Sequence, residues 1–220
     1  MTFVLRGAIF DFDGVVVDSH PVHKRAWRSL LESLGRTPSD EELQFVLDGR
    51  TRDDILRHFL GDLDSELMIE YGHRKEQFFR DEAVAVQTIA GLNPFLKGLA
   101  DSHVVCAIAS SGNRSRVNFL LDRLDLKAHF RAIVTGEDVK RGKPDPAIFL
   151  RAAQQLQLDP VELIVFEDAQ SGVKAARSAG MVCVGIARRD GASALLDAGA
   201  DAVVPDFRSL CYSKLERFLA

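Results

Sequence analysis

Residues 8–19 read AIFDFDGVVVDS, and the fold of the chain turns on how this stretch is taken. It opens as the unbroken apolar run of a buried strand and then becomes abruptly acidic. Asp11 and Asp13 stand with one aromatic between them, and Gly14 follows at once. Strands without a polar face belong to parallel sheets covered by helices on each side. Two carboxylates delivered to one strand end repel each other, and an unpaired charge near a core is strongly unfavourable. A cation or a proton is therefore expected beside them.

Working outward, similar runs recur at HVVCAIAS (103–110), RAIVTG (131–136), ELIVFED (162–168) and MVCVGIA (181–187). Helical patterns separate them. In SRVNFLLDRLDL, Val117, Leu120, Leu121 and Leu124 share a face. In DPAIFLRAAQQLQL, Asp145 can cap, Pro146 can take the first helical position, and Phe149, Ala152, Ala153 and Leu156 line one side. In SGVKAARSAG, Gly180 reads as a helix stop. The alternation predicts an α/β fold with a parallel sheet and helices on both faces. Residues 16–90 break it, because they carry helical patterns and no strand. HKRAWRSLLESLG puts Ala26, Trp27, Leu30, Leu31 and Leu34 on one stripe, and Ser39 with Glu42, then Thr51 with Asp54, open two more helices as capping boxes. A core of residues 1–15 and 91–220 with an α-helical insertion at 16–90 is expected.

The 220 residues are 46% hydrophobic with a formal net charge of −4, enough for a full core and without a basic footprint. Nucleic acid and anionic membrane surfaces are not expected as partners. No apolar run approaches membrane-spanning length, and MTFVLRGAIF lacks the features of a secretory signal. Cys106, Cys183 and Cys211 are odd in number and unpaired in spacing, which points to reduced thiols in a cytoplasmic protein and to no zinc site. The chain is expected to act as a monomer.

In an open parallel sheet the carboxyl ends of the strands meet in a crevice where ligands bind. The strand ends here carry Asp11 and Asp13, Ser110 and Ser111, then Lys143 through the loop RGKPDP, and Glu167 with Asp168. Asp11 and Asp168 offer oxygen donors to a hard cation such as Mg2+, with Glu167 either a further ligand or a group behind one. A lysine and a hydroxyl beside such a cation are what a transferring phosphoryl group requires. Asp11 is then the candidate nucleophile, and Asp13 is placed to protonate the leaving oxygen and later to activate water. Gly14 lets the backbone turn sharply and approach the phosphate. Singly, each residue would read as an ordinary turn or surface group. Their convergence carries the functional reading.

In these residues the chain resembles the haloacid dehalogenase superfamily. DFDGVVVDS is similar to that family's first motif, AIASS to the second with Ser110, GKPDP to the third with Lys143, and FEDAQSG to the fourth with Glu167 and Asp168, in order over nearly the whole chain. The resemblance implies a Rossmann-like core, Mg2+, Asp11 as nucleophile, and Asp13 as acid/base and main-chain metal ligand. It further implies Ser110 and Lys143 as phosphate-holding residues, Asp168 as metal ligand, and the insertion as a movable cap. The dehalogenase branch lacks an acid at the second position, so Asp13 points to phosphoryl transfer.

DFDGVVVDSHPVHKRAW is similar to the branch that contains β-phosphoglucomutase and several sugar-phosphate phosphatases. His23, Arg25 and Trp27 fall on that branch's histidine, arginine and tryptophan. Arg52 in GRTRDD matches a cap arginine that grips a distal phosphate, and Lys75 lies near a cap lysine. Trp27 sits on the apolar stripe and is expected as packing. His23 reads either as a solvated helix residue or as a group facing substrate, while His58, His73 and His129 show no ligand spacing. The chain departs from the mutases at Gly112 and Asn113, where those carry a hydroxyl and a basic residue, so Arg114 or Arg116 would have to substitute. Ser111 and Asn113 are counted as substrate-binding positions. The expected activity is a Mg2+-dependent phosphatase for a small phosphate ester, a sugar phosphate, working through an aspartyl-phosphate on Asp11. A phosphomutase and a non-catalytic phosphate-binding protein are the alternatives.

Overall fold

The computed structural model describes residues 4–187 and 189–219. After β1 (Gly7–Phe10) the chain enters a helical insertion of α1 (His20–Ser33), a 3-10 segment over Glu42–Leu47, α2 (Arg52–Leu60) and α3 (Ser65–Glu82). Strict alternation comes next: α4 (Leu92–Asp101), β2 (Val105–Ser110), α5 (Arg114–Arg123), β3 (Ala132–Thr135), α6 (Ala147–Leu156), β4 (Leu163–Glu167), α7 (Gln170–Ser178), β5 (Val182–Ile186), α8 (Arg189–Asp197), β6 (Ala202–Val204) and α9 (Tyr212–Leu219). The six strands are parallel in the order β3-β2-β1-β4-β5-β6. β6 adds to the five runs read from the sequence. Its three residues are only partly buried, too few and too exposed to stand out as an apolar run.

Side-chain alternation along the strands builds two layers. Phe10 of β1 and Phe166 of β4 face a cluster that includes Leu96 of α4, Leu121 of α5 and Leu215 of α9. Ile9 and Val165 face the opposite one, with Phe149 of α6, Val173 of α7 and Leu195 of α8. Phe10 stacks on Phe166 with ring centroids 4.8 Å apart, and Phe95 meets Phe166 edge-on. Such pairs add roughly 0.5–1.5 kcal/mol each beyond burial and fix the central strands in register.

The insertion has its own apolar cluster, in which Trp27, Leu30 and Leu31 of α1 meet Leu43, Ile55 and Phe59. Val22 and Ala26 on the same helix pack instead into the main core, so α1 belongs to both bodies. Val17 bridges Asp13 and Thr88, which ties the entry strand to the exit. The Ser39 and Glu42 box forms reciprocally, at 2.8 and 3.1 Å, but it opens a 3-10 segment rather than the expected α-helix. The buried residues of that segment, Leu43 and Val46, are three apart, the 3-10 repeat. Thr51 caps α2 by accepting from the Asp54 amide at 3.2 Å. α6 starts one residue later than expected, Pro146 being its cap and Asp145 accepting from the Ala147 amide. The strand order reverses between β1 and β4, so the crevice opens at the carboxyl ends of these two strands.

Candidate active site

Asp11 follows β1 directly, its amide bonded to the Phe166 carbonyl of β4 at 2.9 Å, so the sheet itself aims the carboxylate. Lys143 arrives from the loop before α6 with its side chain wholly buried, donates to Asp11 Oδ1 and Glu167 Oε1, and reaches the Ala109 carbonyl at 3.2 Å. Glu167 ends β4 and is fully buried. Its Oε2 accepts from the Asp168 and Ala169 amides at 2.8 and 2.9 Å. Both Glu167 oxygens are thus committed, one to Lys143 and one to the loop. Gly172 of α7 makes room, since a Cβ there would lie 1.8 Å from Glu167 Oε1. Burial drives the Asp11 carboxyl well above its ordinary value, Lys143 opposes this, and Glu167 and Asp168 reinforce it. Burial alone would lower Lys143, but Asp11 and Glu167 outweigh it and keep the ammonium charged. Asp11 and Glu167, both buried, thus share one ammonium.

Asp13 sits in a second network. Its Oδ1 accepts from Ser19 Oγ at 2.5 Å and from Arg116 Nη1 at 2.7 Å, and His23 Nε2 lies 3.1 Å away. Burial would raise its pKa, yet Arg116 and His23 prevail and hold the carboxyl well below the usual range. Behind it Lys75 Nζ meets His23 Nδ1 at 3.0 Å. On the other side of the ring Arg116 Nη1 stands 2.7 Å from Nε2, so both imidazole nitrogens face a basic side chain. Burial, then the neighbouring Lys75 and Arg116, push His23 down to about 3, so the imidazole is neutral. Burial and Arg116 bring Lys75 down to about 7. His23, read from sequence as either solvated or facing substrate, is buried and in contact with Asp13. All three contacts of Asp13 fall on Oδ1, so Oδ2 is the oxygen left to take or give a proton.

The cation expected at the acidic strand ends can be tested against the donors present. Among the described residues, no three His, Cys, Asp or Glu side chains form a ready-made metal centre. The available donors are the carboxylates of Asp11 and Asp168 and main-chain oxygen at Asp13, an all-oxygen set that suits a hard cation completing its shell with water and phosphate oxygens. Gly14, at φ +81°, lies so close beneath Asp168 that a Cβ would stand 2.0 Å from Asp168 Oδ2. The turn is therefore shaped around that carboxylate, and the residues fit the group. His20 Nε2 meets Asp168 Oδ2 at 3.1 Å. Burial lowers its pKa but Asp168 more than compensates, raising it to about 9.

A cavity of about 600 Å3 lies over these groups, walled by Asp11, Asp13 and Asp168 on the core side and by Trp27, Arg52 and Lys75 on the insertion's side. Ser110 is buried at the end of β2, its Oγ accepting from the Gly112 amide at 3.1 Å, while Ser111, Gly112 and Asn113 face the cavity. Ser111 Oγ donates to the Gly49 carbonyl at 2.8 Å and Ser171 Oγ to the Asp48 carbonyl at 2.6 Å, so two core hydroxyls hold consecutive carbonyls of the insertion. Asn113 caps α5 through the Arg116 amide at 2.8 Å and donates to Glu76 at 3.0 Å. Arg52 lines the cavity with part of its side chain exposed and pairs with Asp53. Trp27 is both core packing and cavity wall.

Sequence reasoning missed His20, Glu76 and the hold of Arg116 on Asp13. Arg116 had a legible signal, a cation in the first turn of α5 where the helix dipole disfavours it unless an anion is near. His20 and Glu76 carried none.

Residues 8–186 match the family described as haloacid dehalogenase-like hydrolase. A phosphorylated carbohydrates phosphatase of Thermotoga maritima is 34% identical over 205 residues, spanning 91% of this chain and 94% of that protein. A β-phosphoglucomutase of Bacillus subtilis is 30% identical over 191 residues, 83% of each. The crystal structure of β-phosphoglucomutase from Clostridium difficile shares the fold, with a TM-score of 0.88 at 24% identity over 98% of this chain and 97% of that one. With a family match over most of its length and relatives spanning nearly all of it, the chain belongs to the haloacid dehalogenase-like hydrolases.

Proposed function

We propose that the protein is a phosphatase that hydrolyses a small phosphorylated sugar or sugar alcohol through transient transfer of the phosphoryl group to Asp11. The observation that carries this reading is Asp11 itself, a carboxylate at the mouth of β1 oriented by a wholly buried lysine and facing a cavity of substrate size. An Asp11 oxygen attacks phosphorus in line with the ester oxygen, forming the acyl phosphate as the P–O bond to the sugar breaks. Lys143 keeps the attacking carboxylate aimed and offsets charge as the phosphoryl oxygens approach. A divalent cation held by Asp11, Asp168 and the Asp13 carbonyl would supply further positive charge to those oxygens. Asp13 gives its proton to the sugar oxygen as that bond breaks. Ionised against Arg116, it then takes a proton from the water that attacks the acyl phosphate, which returns both Asp11 and Asp13 to their starting states. The insertion, latched through Ser111 and Ser171, keeps bulk water out during the first step.

Hydrolysis is favoured over mutase chemistry by the state of the groups after β2. A mutase must hold two phosphates in turn. Asn113 is committed to its helix and to Glu76, Arg114 to Asp138 and the Ile133 carbonyl, and Arg116 to Asp13, so each already answers a protein partner. The names of the relatives, a carbohydrate phosphatase among them, support the substrate class. The test is to follow inorganic phosphate from hexose and hexitol phosphates with Mg2+, beside isomer formation from β-glucose 1-phosphate. Phosphate release abolished by Asp11→Asn is the expected result. Isomer formation far faster than phosphate release would assign a mutase, and equal activity of Asp11→Asn would remove the nucleophile.

A further inference from the structure

Glu76 of α3 is a polar group that phosphoryl transfer through Asp11 and Asp13 does not use. Its Oε2 accepts from Asn113 Nδ2 at 3.0 Å and lies 3.9 Å from Arg116 Nε. Its Oε1 is buried and has no hydrogen-bond partner, the one such side-chain oxygen or nitrogen among the described residues. A buried carboxylate oxygen without a donor is unfavourable, and native proteins leave few of them. The same side chain stands in the wall of the cavity that holds Asp11 and in the wall of an adjoining hollow of about 400 Å3, and only Arg52 and Asn113 share that position. The unpartnered oxygen thus belongs to a residue on the insertion's side of the space that a leaving group fills.

Carboxylate oxygens accept hydrogen bonds, so the partner called for is a donor, and a residue in the cavity wall can take it from a ligand. A hydroxyl and an ammonium both qualify, and the surroundings choose between them. Arg52 lines both hollows beside Glu76, and Arg116 Nε lies 3.9 Å from its Oε2. These cations repel an ammonium and leave a neutral hydroxyl unaffected. We infer that Glu76 Oε1 is the acceptor for a hydroxyl of the leaving group, so that the site selects polyhydroxylated phosphate esters. This rests on the phosphatase reading and names the residue that recognises the alcohol.

The experiment compares glucose 6-phosphate, fructose 1-phosphate and sorbitol 6-phosphate, then the monodeoxy analogues of whichever is turned over fastest. Wild type and Glu76→Ala are both assayed, and Glu76→Gln serves as the variant that keeps the Asn113 bond should the alanine destabilise the fold. In the wild type, removing one particular hydroxyl is expected to lower kcat/KM about 10- to 100-fold, the factor that a hydrogen bond to a charged group supplies. In Glu76→Ala that deoxy analogue and its parent become equivalent, and Glu76→Gln narrows the gap in the same direction. Discrimination retained in both variants, or a wild type indifferent to every hydroxyl, overturns the inference while phosphate release leaves the phosphatase reading standing. A wild-type preference for glucosamine 6-phosphate over glucose 6-phosphate that vanishes in Glu76→Ala assigns an ammonium and overturns it as well. No phosphate release from any ester, 4-nitrophenyl phosphate included, removes the phosphatase reading and this inference with it.

Discussion

Replacing Lys143 by methionine isolates the electrostatics of the site from its packing. The substitution keeps an unbranched stem of similar length against Phe149, whose ring centroid lies 5.0 Å from the amine, and removes only the charge. Asp11 is then left facing Glu167 with no ammonium between them, both buried. Removing one partner of a buried ion pair costs roughly 3–5 kcal/mol. At about 2–4 °C per kcal/mol for a chain of this size, the melting temperature should fall by about 6–20 °C. The loss should also depend on pH, and its sign follows from the cluster. Burial raises both carboxyls above their ordinary values of 3.8 and 4.5, and Lys143 is what opposes the rise. Without it the folded values climb further. A carboxyl raised in the folded state takes up protons on folding, so its contribution is fully present below the ordinary value and is lost as pH rises through the raised one. The deficit of Lys143→Met against wild type should therefore be small near pH ~4 and grow toward neutrality. Urea unfolding without divalent ions, followed by the fluorescence of Trp27, the single tryptophan, and by circular dichroism, measures it. Adding Glu167→Gln should recover part of the loss. A deficit unchanged between pH ~5 and ~8, or a variant as stable as wild type, would refute the account of two buried carboxyls sharing one ammonium.

Three further outcomes are expected. Gly14→Ala must hold a left-handed φ of +81° and place a methyl 2.0 Å from Asp168 Oδ2, so it should lose at least ~1–2 kcal/mol and show weaker thermal stabilisation by Mg2+ than wild type. Ser111→Ala with Ser171→Ala removes two hydroxyl-to-carbonyl bonds worth together about 1–3 kcal/mol, and should speed hydrogen exchange around residues 48–51 by about 5- to 150-fold if the latch holds the insertion closed. Burial pushes the Cys106 thiol up to about 12 and raises Cys183 as well, whereas Cys211 is exposed and lowered by its bond to Ser213. At pH ~8 an aromatic disulfide reagent should find one fast thiol, and the other two only after denaturation.

Some of the site was legible because local sequence and strand direction suffice to determine it. Asp11 ends an apolar run, and a parallel sheet brings the ends of such runs together, so Asp11, Lys143, Glu167 and Asp168 could be grouped without coordinates. Arg52 and Lys75 were placed near the cavity by resemblance, and they line it. Other features resist a linear reading. The Ser39 and Glu42 bonds form, yet the expected α-helix does not follow, and the 3-10 segment that does has Glu41 as its cap and buries Leu43 and Val46. β6 is held by pairing with β5 rather than by its own apolarity.

What the sequence determined by itself is the ordered set of strand ends, because unbroken apolar runs and the polar residues closing each of them are written in consecutive positions. Only the tertiary structure decided how those groups are partnered. Arg116 lies 103 residues from the carboxylate it clamps, Lys143 lies 132 from Asp11, and Glu76 has one oxygen satisfied and one bare. Whether a buried charge is neutralised, shared or left waiting for a ligand depends on neighbours from distant elements in a medium of low dielectric, where a separation of one or two ångströms changes the answer.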